Sequence, residues 1–516
     1  MNCWNVEKRL KDRKDKKSIM KICVSLYCGL TAAAVSGMSA VNSSAEVKRP
    51  NLLLIYIDDL GDRFLGCYRE DGQNSDTPNI DRLASTGVRM TDGYVTASIC
   101  TPSRAAVLTG RYQQTFGIYG NPDAFAGMPD NVNMLADHLS SYGYSCGWVG
   151  KSHLGWNMNP LDRNFDYFCG FLGGWHDYYR ADAGHIWTDE AGQAWVYENR
   201  TPLKEIKYLT EEFTDRSLAF MERSQQAGTP WALYLAYNAV HSPTQAPWDT
   251  VKDLGGEKIT SWNLRRAMVM SLDKGIGRLL DFLEKSGSRN NTLVFFIGDN
   301  GGTGNSYRSG KGSLYEGGIR VPYLVSLPGI LPQGKVYSRP VSSLDVIPTF
   351  LSLAGLAVPD RLDGTDLTPY LTGQRQGDPH QVLFWQYSGD NPDSVIRFAV
   401  RQDHWKLVRD LNQPDAVELY NLRDDVSEKT NLIEQHPEVA ASMQQLRSQW
   451  EKKIVPPLVP PGRRGSPWVE ELKQAGRGWQ EIRDKINKTR NQEAMDAMRI
   501  YWEKERNKDE EDQCGL

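Results

Sequence analysis

The chain has 516 residues, of which 40% are hydrophobic, 24% charged and 10% aromatic. This is too long for one compact core and suits about three units of roughly 150 residues, or one large α/β domain with a smaller companion. The composition excludes collagen, low-complexity disorder and a multispan membrane protein. Net charge is −4, but residues 1–45 carry eight Lys/Arg and three Asp/Glu, which leaves 52 basic and 61 acidic residues in the remainder. So mildly acidic a body gives no reason to expect nucleic acid as partner.

In chain order, a basic run from Lys8 to Lys17 precedes Lys21 and the apolar, small-residue stretch 22–40, with Ser43-Ser44-Ala45 beyond it. This pattern predicts a secretion signal in residues 1–45 and no stable membrane span, because Ser, Thr and Gly interrupt the stretch. Met20-Lys21 makes a normal start, so the first 19 residues read as an upstream extension, and bulky Tyr27 disfavours acylation of Cys28. Export to the periplasm or medium of a bacterium is the expectation. Beyond the leader lie Cys67, Cys100, Cys146, Cys169 and Cys514, with no CxxC pair, so neither zinc nor a disulfide scaffold is indicated. An odd count in an exported chain leaves at least one thiol unpaired or chemically special.

Asn51–Ile57, Trp231–Tyr237 and Thr292–Ile297 are short apolar runs without alternation, as in parallel strands buried on both faces. Helical patterns cover Pro78–Ser85, Met134–Ser141, Leu209–Ser224 and Leu264–Ser286. Together they predict a catalytic α/β domain over 46–375, a mixed, mostly parallel sheet sandwiched by helices. From about residue 376 the pattern shifts to short, polar-interleaved strands at Val382–Tyr387, Val395–Arg401, Lys406–Arg409 and Val417–Tyr420, then a helix at Pro437–Lys453. That reads as a small C-terminal antiparallel sheet plus helix over 376–465. Residues 466–516 read as a charged, solvated helical tail.

Two of the apolar runs end in oxygen-bearing side chains, Asp58-Asp59 and Asp299-Asn300. Ligands bind at the carboxyl ends of parallel strands, and three carboxylates with an amide oxygen suit Ca²⁺ or Mg²⁺ rather than zinc. Each pair taken alone also fits ordinary loop capping. Cys100 opens Cys100-Thr-Pro-Ser-Arg104, where Pro102 suits a first helical turn and Gly110 a C-cap. A side chain at that helix start faces free N–H groups, and Arg104 can return one turn later to the same place. An isolated cysteine is also commonly just a small buried hydrophobe.

Cys100-Thr-Pro-Ser-Arg104 with Leu108-Thr-Gly-Arg111 resembles the signature of the type I, formylglycine-dependent sulfatases of the alkaline phosphatase-like superfamily. Other blocks of that family follow in order. Asn51–Asp59 resembles its first metal strand, and Gly150-Lys151-Ser152-His153-Leu154-Gly155 its GKxHLG block, with Ser152 where many relatives carry Trp. Ala239-Val-His241-Ser-Pro243 resembles its histidine-proline block. Gly298-Asp-Asn-Gly-Gly302 resembles the second metal strand, and Gly310-Lys311 through Glu316 to Arg320-Val-Pro322 the lysine block. Glu418-Leu-Tyr-Asn-Leu422 with Glu428 resembles the C-terminal strand and turn, so the likeness spans roughly 48–450.

The resemblance implies one Ca²⁺ on Asp58, Asp59, Asp299 and Asn300, with residue 100 alongside. It implies that a maturation enzyme converts Cys100 to formylglycine (3-oxoalanine), whose hydrate attacks sulfur to give a sulfated intermediate. Arg104, Lys151 and Lys311 then supply positive charge to the sulfuryl oxygens, with Lys151, His241 and Lys311 touching substrate. His241, with Lys311, is the expected acid for the leaving alcohol, and His153 the base that collapses the intermediate. Trp175-His176-Asp177-Tyr178-Tyr179 follows Gly170-Phe-Leu-Gly-Gly174, which resembles a stretch near the cleft in relatives, so His176 is a candidate substrate contact. His138, His185, His380, His404 and His436 have no supporting motif. Glu316 and Arg320 are expected to hold the lysine loop.

Sulfated saccharides are the expected substrates, N-acetylgalactosamine or galactose sulfate among them, in keeping with 15 Trp and 23 Tyr. Ordinary packing accounts for those aromatics equally well. Two alternatives remain at this point. One is a phosphodiesterase or phosphonate monoester hydrolase on the same scaffold, and the other a non-catalytic glycan-binding relative.

Overall fold

A computed structural model describes residues 49–69, 76–155, 158–184, 194–387, 396–410, 416–459 and 492–507. The secretion signal, His185, Cys514 and the tail segment 466–491 lie outside the described residues. Strands follow in chain order as β1 (Asn51–Ile57), β2 (Val88–Met90), β3 (Gly93–Tyr94), β4 (Ser145–Lys151), β5 (Tyr167–Phe171), β6 (Tyr197–Glu198), β7 (Thr201–Pro202) and β8 (Trp231–Tyr237). They continue as β9 (Thr292–Gly298), β10 (Tyr323–Ser326), β11 (Lys335–Tyr337), β12 (Val341–Ser342), β13 (Leu383–Tyr387), β14 (Arg397–Gln402), β15 (Trp405–Arg409) and β16 (Glu418–Asn421).

The three apolar runs form the middle of a ten-stranded sheet of order β11-β2-β10-β9-β1-β8-β4-β5-β6-β7. From β9 to β5 the strands run parallel, while β10 is antiparallel to both β9 and β2. This is the expected mixed, mostly parallel sheet. Every residue of β1 is buried because the sheet is covered twice. Leu52, Leu54 and Tyr56 face one core, which holds Ala105, Leu108, Leu135 and Phe350. Leu53, Ile55 and Ile57 face a second core, built from Ile80, Phe213, Leu272 and Met498.

The helix Pro78–Ser85 has its expected bounds, and the next long ones are Leu209–Gln226 and Ser261–Lys285. The last begins three residues before the predicted start because the Thr260 hydroxyl caps it, accepting from the Asn263 N–H at 3.1 Å. Met134–Ser141 shortens to Leu135–Leu139 followed by a 3₁₀ turn. Two central strands, β4 and β5, went unread because glycine in a short run looks like a breaker. Gly150 (φ +107) is required there, since a Cβ at that position would come 2.0 Å from the Ala236 carbonyl oxygen of β8. No helix among the described residues is long and apolar enough to cross a membrane.

The four-stranded antiparallel sheet β13-β14-β15-β16 is the small C-terminal sheet expected from the alternation. One of its faces, with Trp385, Ala399, Val408 and Tyr420, packs on Leu314, Tyr315 and Ile319. Its other face, with Phe398, Val400, Leu407 and Leu419, meets Met443 of the helix Pro437–Glu451. The small sheet is therefore seated on the segment that follows Lys311.

Candidate active site

Strands β1 and β9 are neighbours with Ile57 opposite Gly298, so both acidic pairs leave the sheet at one level. The Asp59 N–H donates to Asp299 Oδ1 at 3.1 Å, and Asp59 itself is left-handed (φ 58). Gly302 crosses against that residue so closely that a Cβ would lie 1.7 Å from the Asp59 carbonyl oxygen. Oxygens of Asp58, Asp59 and Asp299 and the Cys100 sulfur all lie within 4.8 Å of one another. The Asn300 amide donates to Asp59 Oδ1 at 2.7 Å, while its buried Oδ1 has no hydrogen-bond partner. An unused amide oxygen beside three carboxylates is a hard donor set, which fits Ca²⁺ or Mg²⁺.

Cys100 is the first residue of the helix Cys100–Thr109, which ends on left-handed Gly110 as predicted. Its thiol donates to Asp58 Oδ1 at 3.5 Å and accepts from Lys311 Nζ at 3.3 Å. One turn on, buried Arg104 reaches Asp299 at 2.8 Å and Asp58 at 3.5 Å. Lys151, at the carboxyl end of β4, reaches Asp58 at 2.5 Å, and Lys311 reaches Asp59 at 2.7 Å. His241 places Nε2 3.8 Å from Asp59 and shares a 2.6 Å hydrogen bond between Nδ1 and the Ser242 carbonyl. His153 is left-handed (φ 58), with its carbonyl taken by the Thr101 hydroxyl at 2.9 Å. Gly174 borders its ring, where a Cβ would lie 2.8 Å from Nε2.

Three carboxylates are thus interleaved with three fixed cations. Burial opposes ionisation of Asp58, but Lys151, His241, Arg104 and Lys311 hold its carboxyl well below the usual carboxylate range. Burial and then Asp58 push Asp299 up to about 7. Burial, followed by the Asp58 charge, raises the Cys100 thiol to about 12, so this side chain is not an activated thiolate. Burial and Lys311 lower His241 to about 4, which keeps the imidazole neutral in the free site.

Positioning of Lys311 comes from the small sheet. Asp410 accepts from Ser313 Oγ at 2.5 Å and from the Leu314 N–H at 2.6 Å, and Arg397 donates to the Gly312 carbonyl at 2.5 Å. Beneath them, buried Lys406 lies 2.8 Å from both Glu316 and Glu428. Arg320 reaches Glu316 at 3.3 Å, so Glu316 and Arg320 hold the loop as expected.

His176 is held inside the fold. It is 1% exposed, packs on Phe171, and has both ring nitrogens 2.8 Å from backbone carbonyls, of Asp177 and Ala194. The ring fastens its own loop. Its neighbour Tyr178, missed in the sequence, donates to the carbonyls of Asn238 and His241 at 2.8 and 2.9 Å. Arg265 likewise donates to the Val240 carbonyl at 2.5 Å.

The tail also differs from a simple solvated helix. Residues 492–507 form a helix whose Ala494, Met498 and Trp502 are buried. Gln245, four residues past His241, donates to the Ala494 carbonyl at 2.7 Å, and Trp502 Nε1 donates to the Ala246 carbonyl at 2.8 Å. The i, i+4, i+8 spacing of those apolar residues was the available signal. Trp502→Ala should cost about 3–5 kcal/mol of this docking. Amide exchange at residues 238–248 should accelerate, and unchanged exchange there would show that the helix does not hold the loop.

A fold of this kind with this cluster at its strand ends defines an ester hydrolase of the alkaline phosphatase-like class. The sulfatase family model matches residues 50–356, and the model for the C-terminal part of N-sulphoglucosamine sulphohydrolase matches residues 308–455. The chain is 31% identical to arylsulfatase A of Bos taurus, covering 82% of this chain and 90% of that protein. It is 32% identical to N-acetylgalactosamine-6-sulfatase of Canis lupus familiaris, with 74% and 77% covered. Among solved structures, Ps i-CgsB in complex with k-i-k-neocarrahexaose superposes with a TM-score of 0.72 at 31% identity, over 80% of this chain and 94% of that one. The chain belongs to the sulfatase family and is a sulfuric ester hydrolase.

Proposed function

We propose that the protein removes sulfate from saccharides, with Cys100 matured to formylglycine and one Ca²⁺ held by Asp58, Asp59, Asp299 and Asn300. The observation that carries this reading is the convergence on residue 100 of Arg104, Lys151 and Lys311 with three carboxylates and a free amide oxygen. When present, the hydrated aldehyde supplies an oxygen nucleophile and the ion draws charge from the sulfate oxygens. Arg104 and Lys151 are buried and already paired, so their charge faces the sulfuryl group without reorganisation. Lys311 Nζ, kept protonated by Asp59, is assigned as the source of the leaving oxygen's proton, with the neutral His241 Nε2 beside it at Asp59. His153 is assigned the proton of the hydroxyl at residue 100.

A saccharide substrate is supported by the names of the relatives, one an N-acetylgalactosamine-6-sulfatase and one solved in complex with k-i-k-neocarrahexaose. The apolar stretch 22–40 supports export to the bacterial periplasm or medium, and residue 100 implies a formylglycine-generating enzyme as maturation partner. Rates on p-nitrophenyl sulfate and p-nitrophenyl phosphate test the reaction. Sulfate turnover should dominate, whereas dominant phosphate turnover would favour the phosphodiesterase alternative.

A further inference from the structure

A second feature lies at the same end of the sheet. Eight arginines and five aspartates line a cleft of about 1370 Å³ that contains none of the catalytic residues. Its floor follows the carboxyl ends of β1, β9 and β2, which point the same way because β10 is antiparallel to both β9 and β2. Three elements join it to the active site. Arg63 lies four residues past Asp59, and Tyr307 four before Lys311. Trp262 sits one turn before Arg265, which grips the carbonyl beside His241.

The charges do not cancel. Asp76 is taken by Arg266 at 2.7 Å, and Asp92 by Arg320 at 3.2 Å and Arg401 at 2.8 Å. Arg63 and Arg89 have no carboxylate partner among the described residues; their guanidinium carbons lie 5.9 Å from the Trp262 ring and 5.2 Å from the Tyr68 ring. Trp262 is 39% exposed and held flat on Phe64 at 4.6 Å. Guanidinium groups with no carboxylate partner among the described residues, beside a fixed aromatic face, match a ligand with anionic groups on a ring with an apolar face. The volume exceeds the roughly 300–1,000 Å³ of ordinary small-ligand pockets, so the cleft has room for more than one sugar unit. Its polar lining excludes a lipid or an apolar peptide.

We infer that this cleft anchors a further sulfated or uronic residue of the same saccharide chain, through Arg63 and Arg89 with Trp262 as platform. This rests on the saccharide reading above. The cleft makes the protein a hydrolase of oligosaccharides, with affinity set by charge outside the reacting centre.

The experiment compares wild type with Trp262→Ala and with Arg63→Ala/Arg89→Ala. Inhibition of p-nitrophenyl sulfate hydrolysis is measured with chondroitin sulfate, carrageenan and heparin hexasaccharides and with their sulfated monosaccharides. Turnover of p-nitrophenyl sulfate, too small to span both sites, should stay within twofold in every variant. The best hexasaccharide should bind wild type at least tenfold tighter than its monosaccharide, and the variants should lose that advantage. A wild type with no preference for length, or variants that keep it, would overturn the proposal. Calorimetry with the same hexasaccharides needs no turnover. It therefore decides the cleft even if aryl sulfate is not hydrolysed, a result that counts against the sulfatase mechanism alone.

Discussion

Cys100→Ala should lower sulfate-ester hydrolysis about 10⁴-fold or more, in line with removal of a nucleophile from a preorganised site, while the chain stays folded. The substitution removes one small buried atom from the start of the helix Cys100–Thr109, and most single substitutions of this size cost about 1 kcal/mol. Activity and stability therefore separate, which distinguishes a chemical role from packing. Buried Cys146 and Cys169 are the natural controls, being free thiols in the strands β4 and β5. Cys100→Ala with activity retained would remove the nucleophile assignment altogether. Peptide mass spectrometry on active wild type should show the thiol-to-aldehyde mass loss at residue 100 and nowhere else.

The acidic cluster carries the second large effect. Chelation of divalent ions should abolish activity and lower the melting temperature, and Ca²⁺ should restore both. An ion at 100 times its dissociation constant stabilises the folded state by about 2.7 kcal/mol. In Asp58→Ala the calcium response should vanish. Stability should also fall by about 3–5 kcal/mol, because Lys151 is wholly buried against Asp58 and loses its counter-charge. Asp58→Ala/Lys151→Met should recover much of that stability without recovering activity. Melting curves of wild type that ignore both chelator and Ca²⁺ would remove the metal from the site.

The active-site layout was legible because it is written in local sequence. Asp58-Asp59 and Asp299-Asn300 each sit immediately after an apolar run, so pairing two strands in register is enough to bring them together. Cys100 and Arg104 share one helical turn, and Gly110 closes that helix for a backbone reason that any sequence shows. The setting of His176 was hidden for the opposite reason. Its motif lies beside the site in the chain, yet ring orientation depends on the Asp177 and Ala194 carbonyls, which only the folded loop brings near. The tail was misjudged because its charge was read before its spacing, and Met498 and Trp502 dominate once a partner surface exists.

By itself the sequence determined the double-faced parallel sheet, the small antiparallel companion, and the acidic, basic and thiol side chains that stand next to the strand ends and the helix start. These follow from hydrophobic period, turn chemistry and blocks of adjacent side chains, all short-range properties. Tertiary structure alone decided which cation faces which carboxylate. It also decided how Lys311 is held by a sheet some hundred residues later, and where a basic cleft opens beside the site. Those depend on contacts between segments far apart in the chain, whose energies are set by burial and mutual distance and leave no local pattern to read.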